Sequence, residues 1–390
     1  MQLVIAEKPS VAMSIAAVIG ADERKDGYME GNGYLVSWCV GHLAGLADAS
    51  CYGDYKKWRY EDLPILPKHW ETVVAPDKKE PFDTLKNLMH RKDVTELVCA
   101  TDAGREGELI FRFVYEKAGC KKPFRRLWIS SMEEAAIRKG FAELKDGHDY
   151  DPLYQSALCR AKADWLIGIN ATRLFSVLYN HTLNVGRVQT PTLSLLAERD
   201  NAIQNFEKHR YYVVHIEGGG LEAVSPPYTE KSEAEKLLAD CDGATAVLTS
   251  LVREEKTENP PRLFDLTTLQ REANRLYGYT AKQTLDYTQS LYEKKLCTYP
   301  RTDSQYLTDD MLPTVESLVS GLFDVLTFAG GVDLSPDFKR ILNSKKVSDH
   351  HAIIPTAEAV KTDFSTLPEG ERNILLLTAA KLLFSVAMPY

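Results

Sequence analysis

The sequence predicts a multidomain α/β and α protein, in which a Rossmann-like parallel sheet at the N-terminus is followed by helical, strand-rich and helix-turn-helix-like regions. Short apolar runs alternate with helix-like segments over the first 150 residues. Residues 151–205 are helical in pattern throughout, and a shorter strand-like stretch ends at the turn signal 259–261 before helices return. Alternation of strands with helices is typical of a parallel sheet, whereas separate runs of each indicate further domains.

The first region accounts for the predicted sheet. Buried strands are predicted at residues 2–6, 34–40, 96–100 and 124–129. Ser10 is placed to cap a helix that runs to Gly20, and the helix after the third strand should stop at Gly119. Ser131 and Glu134 predict a capping box for the next helix. This order predicts a mostly parallel sheet that helices cover on both faces.

The remaining chain is predicted to form three further domains. The predicted boundaries are 1–147, 148–205, 206–263 and 264–390. Two helical segments are joined by a loop with Asn184, Gly186 and Arg187, and strands are predicted at residues 211–217 and 245–251. Thr280 is a suitable helix cap within residues 265–295. That helix pair is compatible with a helix-turn-helix-like DNA module, although the pattern alone favours an ordinary helical hairpin.

Composition excludes several classes of protein. The chain has 390 residues, of which 44% are hydrophobic and 26% charged, and no apolar run approaches the length of about 20 that crosses a bilayer. The N-terminus lacks the basic region of a signal peptide, so a cytoplasmic location is expected. The seven cysteines include no CxxC pair, which argues against a zinc ribbon or disulfide framework. With a net charge of −8, any DNA binding must depend on local basic clusters.

Three carboxylates follow the predicted strand 96–100. Asp102, Glu106 and Glu108 lie on one turn, at the strand end where open parallel sheets bind ligands. Carboxylates so close repel one another unless a cation lies among them, and Mg²⁺ prefers oxygen ligands. An acidic helix N-terminus exposed to solvent explains the same residues equally well.

Glu7 and Lys8 follow the first predicted strand and should lie at the same edge of the sheet. A lysine there can protonate a leaving oxygen, and a glutamate can relay protons or help to hold a cation. A solvated charged pair at a strand end is the alternative.

The segment 299–304 combines a nucleophile with a cation. Tyr299 needs activation at neutral pH, since an ordinary tyrosine has a pKa of about 10. Arg301 offers a planar, permanently charged group suited to a phosphodiester and its transition state, Pro300 restricts the backbone, and Asp303 is placed to orient Arg301. A tyrosine in an ordinary Pro-Arg turn is the alternative.

A histidine pair, His350 and His351, opens the segment 350–356. Such a histidine contacts a phosphate oxygen or is a satisfied core residue, and nothing nearby supports metal ligation.

Seven segments together resemble type IA DNA topoisomerases, and the topoisomerase III branch most closely. They are AEKPS at 6–10, ATDAGREGELI at 100–110, RLWISSM at 126–132, ADWLIGINATR at 163–173, GRVQTPTL at 186–193, YPRTDS at 299–304 and HHAIIPT at 350–356. They follow the family in identity and in order, across essentially the whole chain. The resemblance implies a Toprim fold for the first domain, followed by the helical, strand-rich and tyrosine-bearing domains of the family's toroid.

The resemblance also implies site residues. The catalytic residues are Tyr299, Arg301, Lys8 and Glu7, and Mg²⁺ is held by Asp102, Glu106 and Glu7, with Glu108 as a further candidate. The family's middle acid is replaced by Gly104, which removes one implied ligand. The implied DNA contacts are His350, Arg160, Arg173, Arg187 and Gln189.

The implied reaction is ATP-independent. Tyr299 attacks single-stranded DNA and joins the 5′ phosphate, Lys8 protonates the departing 3′ hydroxyl, and a second strand or duplex passes before religation. No G-x-x-x-x-G-K-[ST] loop is present. The partners are therefore the cut strand and the passing segment, and neither a membrane nor a particular protein is implied.

The family's chain returns through its strand-rich and helical domains, and this sequence ends at Tyr390, near where that return begins. We therefore expect a truncated form that cleaves DNA without processive relaxation or decatenation. Two other hypotheses are a Toprim nuclease or primase-like enzyme, which needs no YPRTDS segment, and a non-catalytic single-strand-binding fragment.

Overall fold

The computed structural model describes every residue except 130, 131, 133, 246, 248, 327–334, 348, 349 and 390. The chain forms two compact units, one of residues 1–184 with 258–390 and one of residues 185–257. Within the described residues, no helix has the length and apolarity that a membrane span requires.

A seven-stranded sheet organises the N-terminal part of the first unit. In chain order, the strands of this region are β1 (Gln2–Ala6), β2 (Glu23–Lys25), β3 (Tyr28–Gly31), β4 (Tyr34–Trp38), β5 (Ala44–Leu46), β6 (Thr72–Val74), β7 (Glu96–Ala100), β8 (Phe124–Arg126) and β9 (Lys145–Asp146). The sheet order is β2-β3-β4-β1-β7-β8-β9, and β5 pairs with β6 separately. The central pairs β4-β1, β1-β7 and β7-β8 are parallel. The mostly parallel sheet is therefore confirmed, with antiparallel edges that the sequence pattern did not show.

Helices cover both faces of this sheet. They are α1 (Pro9–Ile19), α2 (Lys79–Met89), α3 (Arg105–Ala118) and α4 (Glu134–Ala142). Along β1, Leu3 and Ile5 pack with α2 and α3, whereas Val4 and Ala6 pack with α1 and α4. Successive side chains of a strand point to opposite faces, so a continuous apolar run is what a doubly covered strand requires.

Two predicted element boundaries differ from those in the structure. The predicted Ser10 cap is wrong, because the helix begins at Pro9 with Lys8 as its N-cap. A proline at the first helical position already has the backbone angle that the helix needs. The predicted strand 124–129 ends at Arg126. The predicted Ser131 capping box lies outside the described residues.

The rest of the first unit is helical. Its helices are α5 (Asp151–Tyr179), α8 (Leu266–Tyr277), α9 (Ala281–Glu293), α10 (Leu312–Val325), α11 (Ala357–Val360) and α12 (Glu369–Ser385). The last five surround an apolar core that extends from Leu263 to Val386. Thr280 caps α9 as predicted, in a capping box with Gln283. Gly278 turns the chain between α8 and α9 at φ 70°, in the left-handed region where a Cβ would be strained.

The second unit contains α6 (Gln189–Gln204), β10 (His215–Gly218), β11 (Leu221–Val224) and α7 (Lys231–Cys241). The two strands form an antiparallel hairpin through Gly219 and Gly220. The predicted strand at 245–251 is wrong for the described residues of that segment, none of which is in a strand. Leu221–Val224 provides the hairpin partner instead, because the glycine pair permits a tight reversal directly after β10.

Candidate active site

The carboxyl ends of β1 and β7 bring the first charged residues together. These strands are parallel neighbours with Ala6 opposite Ala100, so the residues that follow them emerge at one edge. The backbone N–H of Asp102 donates to Glu7 Oε2 at 3.3 Å. Glu7, Lys8 and Asp102 all line one cleft of about 700 Å³. The edge of a parallel sheet therefore forms the floor of the site.

The turn that carries Asp102 is shaped by close backbone approach. A Cβ built at Gly107 would lie 2.1 Å from the carbonyl oxygen of Asp102, so only glycine fits there. Thr101 Oγ1 donates to the Gly107 carbonyl at 2.8 Å and fastens the same turn. Gly104 differs, because a Cβ there meets no atom within 4 Å. Space alone does not dictate the glycine that replaces the family's middle acid.

Beneath this turn lies a buried ion pair. Arg126 and Glu108 are 1% and 0% exposed, with Arg126 Nε 3.1 Å from Glu108 Oε2. The guanidinium of Arg126 also donates to the carbonyl oxygens of Thr101 at 2.7 Å and Asp102 at 2.6 Å. Arg112 Nε bonds the other oxygen of Glu108 at 2.9 Å. Glu108 thus points into the interior and does not line the cleft. The sequence suggested Glu108 as a further metal ligand, but in the structure it holds the turn in place instead.

Tyr299 enters the cleft from the segment that follows α9. Thr298 N–H donates to the Ile354 carbonyl at 3.0 Å, which holds this segment extended. The Tyr299 hydroxyl donates to Asp102 Oδ2 at 2.9 Å, joining residues 197 positions apart in the sequence. Burial, followed by the charge and hydrogen bond of Asp102, raises the pKa of Tyr299 above its ordinary value, and Arg301 acts in the opposite direction. The phenol is therefore protonated at rest, with a carboxylate in place to accept its proton.

His350 and Arg301 complete this wall of the cleft. The His350 ring centroid lies 4.3 Å from that of Tyr299. Burial lowers the pKa of His350 to about 4, so the imidazole is neutral at pH 7. Within the described part of the chain, His350 Nδ1 is buried without a hydrogen-bond partner, which is uncommon for a buried polar atom. Arg301 is exposed, and its guanidinium bonds Gln289 Oε1 at 3.2 Å.

The carboxylates of Glu7 and Asp102 repel each other. Burial, followed by the charge of Asp102, raises the pKa of Glu7 to about 7. A cation between Glu7 and Asp102 would relieve that repulsion, so this pair fits Mg²⁺ held with several waters. The described residues contain no cluster of three or more potential ligands arranged around one point. Glu106 is engaged elsewhere, with Arg160 Nη2 at 2.6 Å and His42 Nε2 at 3.2 Å.

The predicted DNA contacts differ in their surroundings. Arg160 lines the cleft and pairs with Glu106. Arg173 is buried, and its guanidinium donates to the Tyr55 carbonyl at 2.7 Å. Arg187 and Gln189 are exposed residues of the second unit. Their contacts with DNA stay predictions.

Several residues of the site were not found from the sequence. His42, Asp265 and Thr267 line the cleft from loops or a helix start without a motif. Tyr292 packs edge-on against Tyr299 with centroids 5.4 Å apart. Arg126 stands in the segment RLWISSM, and an arginine within an apolar strand was the available signal for a buried charge partner.

Comparison with known proteins agrees with this geometry. Residues 148–390 match the DNA topoisomerase family, and residues 2–132 match the Toprim domain. The chain is 42% identical to DNA topoisomerase 3 of Bacillus subtilis and 44% identical to that of Shouchella clausii, in each case over 99% of this chain and 55% of the relative. The chain thus spans about half the length of the curated relatives it matches.

The fold is also found among solved structures. Topoisomerase I from Thermotoga maritima superposes with a TM-score of 0.66 at 23% sequence identity, covering 99% of this chain and 61% of that one. At this identity the likeness concerns the fold alone. Since the family match covers more than half of the sequence and the Toprim match covers the sheet that carries Glu7 and Asp102, the chain belongs to the type IA DNA topoisomerase family.

Proposed function

We propose that this chain cleaves and rejoins one strand of DNA through a covalent bond between Tyr299 and a 5′ phosphate. The observation that carries the proposal is the 2.9 Å hydrogen bond from the Tyr299 hydroxyl to Asp102 Oδ2 within the charged cleft. It joins a nucleophile to a proton acceptor, which is the arrangement that covalent catalysis needs. The relatives that carry the name DNA topoisomerase 3 are almost twice as long as this chain. The activity of this chain is therefore our proposal.

The proton movements follow from the contacts. As the Tyr299 oxygen attacks phosphorus, the phenol proton passes to Asp102 and the bond from phosphorus to the 3′ oxygen breaks. Lys8, which lines the same cleft and lies 3.5 Å from Glu293, donates a proton to that leaving oxygen. Arg301 stabilises the charge on the phosphoryl oxygens. Religation reverses each step, with the 3′ hydroxyl as nucleophile and Tyr299 as leaving group.

We further propose that Glu7 and Asp102 hold Mg²⁺, with Glu106 reaching it if its contacts with Arg160 and His42 give way. When bound, Mg²⁺ neutralises charge on the phosphodiester. The single strand would lie across Arg160 and His350 of the first unit. Within the second unit, the exposed Arg187 and Gln189 are the proposed DNA contacts. A second strand or duplex is the proposed passing segment, and the cytoplasm the proposed location.

The test is covalent trapping on a single-stranded oligonucleotide. With the label at the 3′ end, we expect a protein-linked band after denaturation, and with the label at the 5′ end a released fragment. Tyr299→Phe should abolish the band, whereas Tyr292→Phe, which changes the buried neighbouring tyrosine, should retain it. Cutting without a linked band would indicate a Toprim nuclease, and binding without cutting a non-catalytic module. Either result would refute the proposal.

A further inference from the structure

A second concave surface lies beside the catalytic cleft. This surface, which we call the Tyr306 groove, has a volume of about 320 Å³ and is lined by residues that include Arg262, Gln305, Tyr306 and Arg340. All of them belong to the first unit. None belongs to the segments that resemble the family or to the residues assigned above.

Two cations lie over the Tyr306 ring, and a third, Arg340, lines the groove beside it. The Arg262 guanidinium carbon lies 5.4 Å from the ring centroid, and Lys346 Nζ lies 4.8 Å from it. Lys346 Nζ also donates to the Tyr306 hydroxyl at 3.3 Å. Arg340 bonds neutral groups, the Asn259 side chain at 3.3 Å and the Pro260 carbonyl at 3.4 Å. The groove therefore combines several positive charges with an aromatic ring.

These cations lack acidic partners in the part of the chain that the structure describes. No described carboxylate forms an ion pair with Arg262, Arg340 or Lys346, although many other basic residues of the chain do so. Arg262 and Lys346 are exposed. In a chain with a net charge of −8, three cations at or beside one cavity, without an ion pair to any described carboxylate, indicate a site for an anion.

The groove continues the catalytic cleft. Gln305 lines the groove and Asp265 lines the cleft, and Gln305 Nε2 donates to Asp265 Oδ2 at 2.9 Å. The two concave surfaces therefore adjoin at the contact between Gln305 and Asp265. Arginine and lysine bind backbone phosphates, and the half-buried Tyr306 ring can contact a base or sugar of the same strand with little sequence preference.

We propose that the Tyr306 groove binds backbone phosphates of the single strand beyond the linkage that Tyr299 cleaves. Arg262, Arg340 and Lys346 contact phosphate oxygens, and the Tyr306 ring supports a base or sugar. The inference rests on the proposed function because it takes the cleft to hold that strand. It adds a strand-holding surface that takes no part in bond cleavage.

A matched pair of double variants tests the groove. Arg262→Gln/Arg340→Gln removes two charges that line the groove. Lys339→Gln/Lys345→Gln removes two charges from exposed neighbours that do not line it. Binding of a labelled single-stranded oligonucleotide by the full chain is measured by anisotropy between 50 and 200 mM salt. Adduct formation is followed in the same samples, and inorganic phosphate and abasic oligonucleotide serve as competitors.

The groove variant should reduce the slope of log affinity against log salt by about 1.4, since each single-strand phosphate contact contributes about 0.7. The control variant should keep the parent slope. Equal slopes for both variants would overturn the proposal, as would competition by inorganic phosphate alone, which would indicate a site for a free anion. If the parent chain forms no adduct but its binding still depends on the groove residues, the Tyr299 chemistry is refuted. The proposal that the groove binds the strand would then still hold.

Discussion

The buried pair of Arg126 and Glu108 makes a strong prediction about stability. Arg126→Met keeps much of the side-chain volume but leaves Glu108 with Arg112 as its remaining charged partner. Removing one member of a buried ion pair costs about 3 to 5 kcal/mol. The surviving bond to Arg112 argues for the lower end, so we expect the free energy of unfolding to fall by about 3 kcal/mol.

The double variant Arg126→Met/Glu108→Gln separates charge pairing from lost packing. Once both charges are gone, no uncompensated carboxylate remains, so the double variant should be less damaged than the sum of its single changes by about 2 kcal/mol. Arg125→Met is the matched control. That neighbouring arginine is 52% exposed in its pair with Glu96, and its loss should cost less than about 1 kcal/mol.

Urea unfolding followed by circular dichroism measures these differences, with coincident transitions by fluorescence as the check on a single cooperative step. Adduct formation in folded Arg126→Met should also slow, because Arg126 donates to the Asp102 carbonyl at 2.6 Å and holds the turn below Tyr299. Additive losses in the double variant, or an Arg126→Met loss no larger than that of Arg125→Met, would refute this reasoning.

Three further predictions concern the cleft. Lys8→Gln should slow cleavage by about 10² to 10⁴, and a 3′-bridging sulfur in the substrate should restore most of the rate because a thiolate leaves without a proton; equal slowing on both substrates would exclude Lys8 as the proton donor. Glu7→Gln should raise the Mg²⁺ concentration for half-maximal adduct formation at least about tenfold, since one of two converging carboxylates is lost; an unchanged Mg²⁺ titration would contradict that role. His350 is neutral in the folded state because burial lowers its pKa to about 4, so it stabilises the fold fully above pH 6.5 and this contribution is lost as the pH falls towards 4. His350→Gln should therefore make the acid-induced fall in unfolding free energy between those values shallower by about 3 kcal/mol, and an identical pH dependence of urea unfolding would count against the burial of that ring.

Local pattern predicted the framework of the sheet well. The strands at 2–6 and 96–100 were predicted within the bounds observed, and the helix after the second of them stops at Gly119 as expected. Both strands are short apolar runs, and the helix ends at a glycine. Sequence patterns are most informative for elements with such clear ends. The antiparallel edge strands were missed because three-residue exposed segments such as Glu23–Lys25 carry no such periodicity.

The sequence pattern predicted some contacts of the site and missed others. Adjacent strand ends explain why Glu7 and Asp102 meet, since topology fixes that edge. The contact between Asp102 and Tyr299 depends on tertiary packing across 197 positions, and only the family resemblance indicated it. Burial decided the role of Glu108, because helical position on an acidic turn does not show which carboxylate faces the interior.

The most direct test of the account is identification of the residue that carries DNA. Protein trapped on a single-stranded oligonucleotide with Mg²⁺ is digested, and the nucleotide-bearing peptide is sequenced by mass spectrometry. We expect one modified residue, Tyr299, linked to a 5′ phosphate, and no modified peptide from Tyr299→Phe. A nucleotide on any other residue, or a 3′ phosphate linkage at Tyr299, would contradict it.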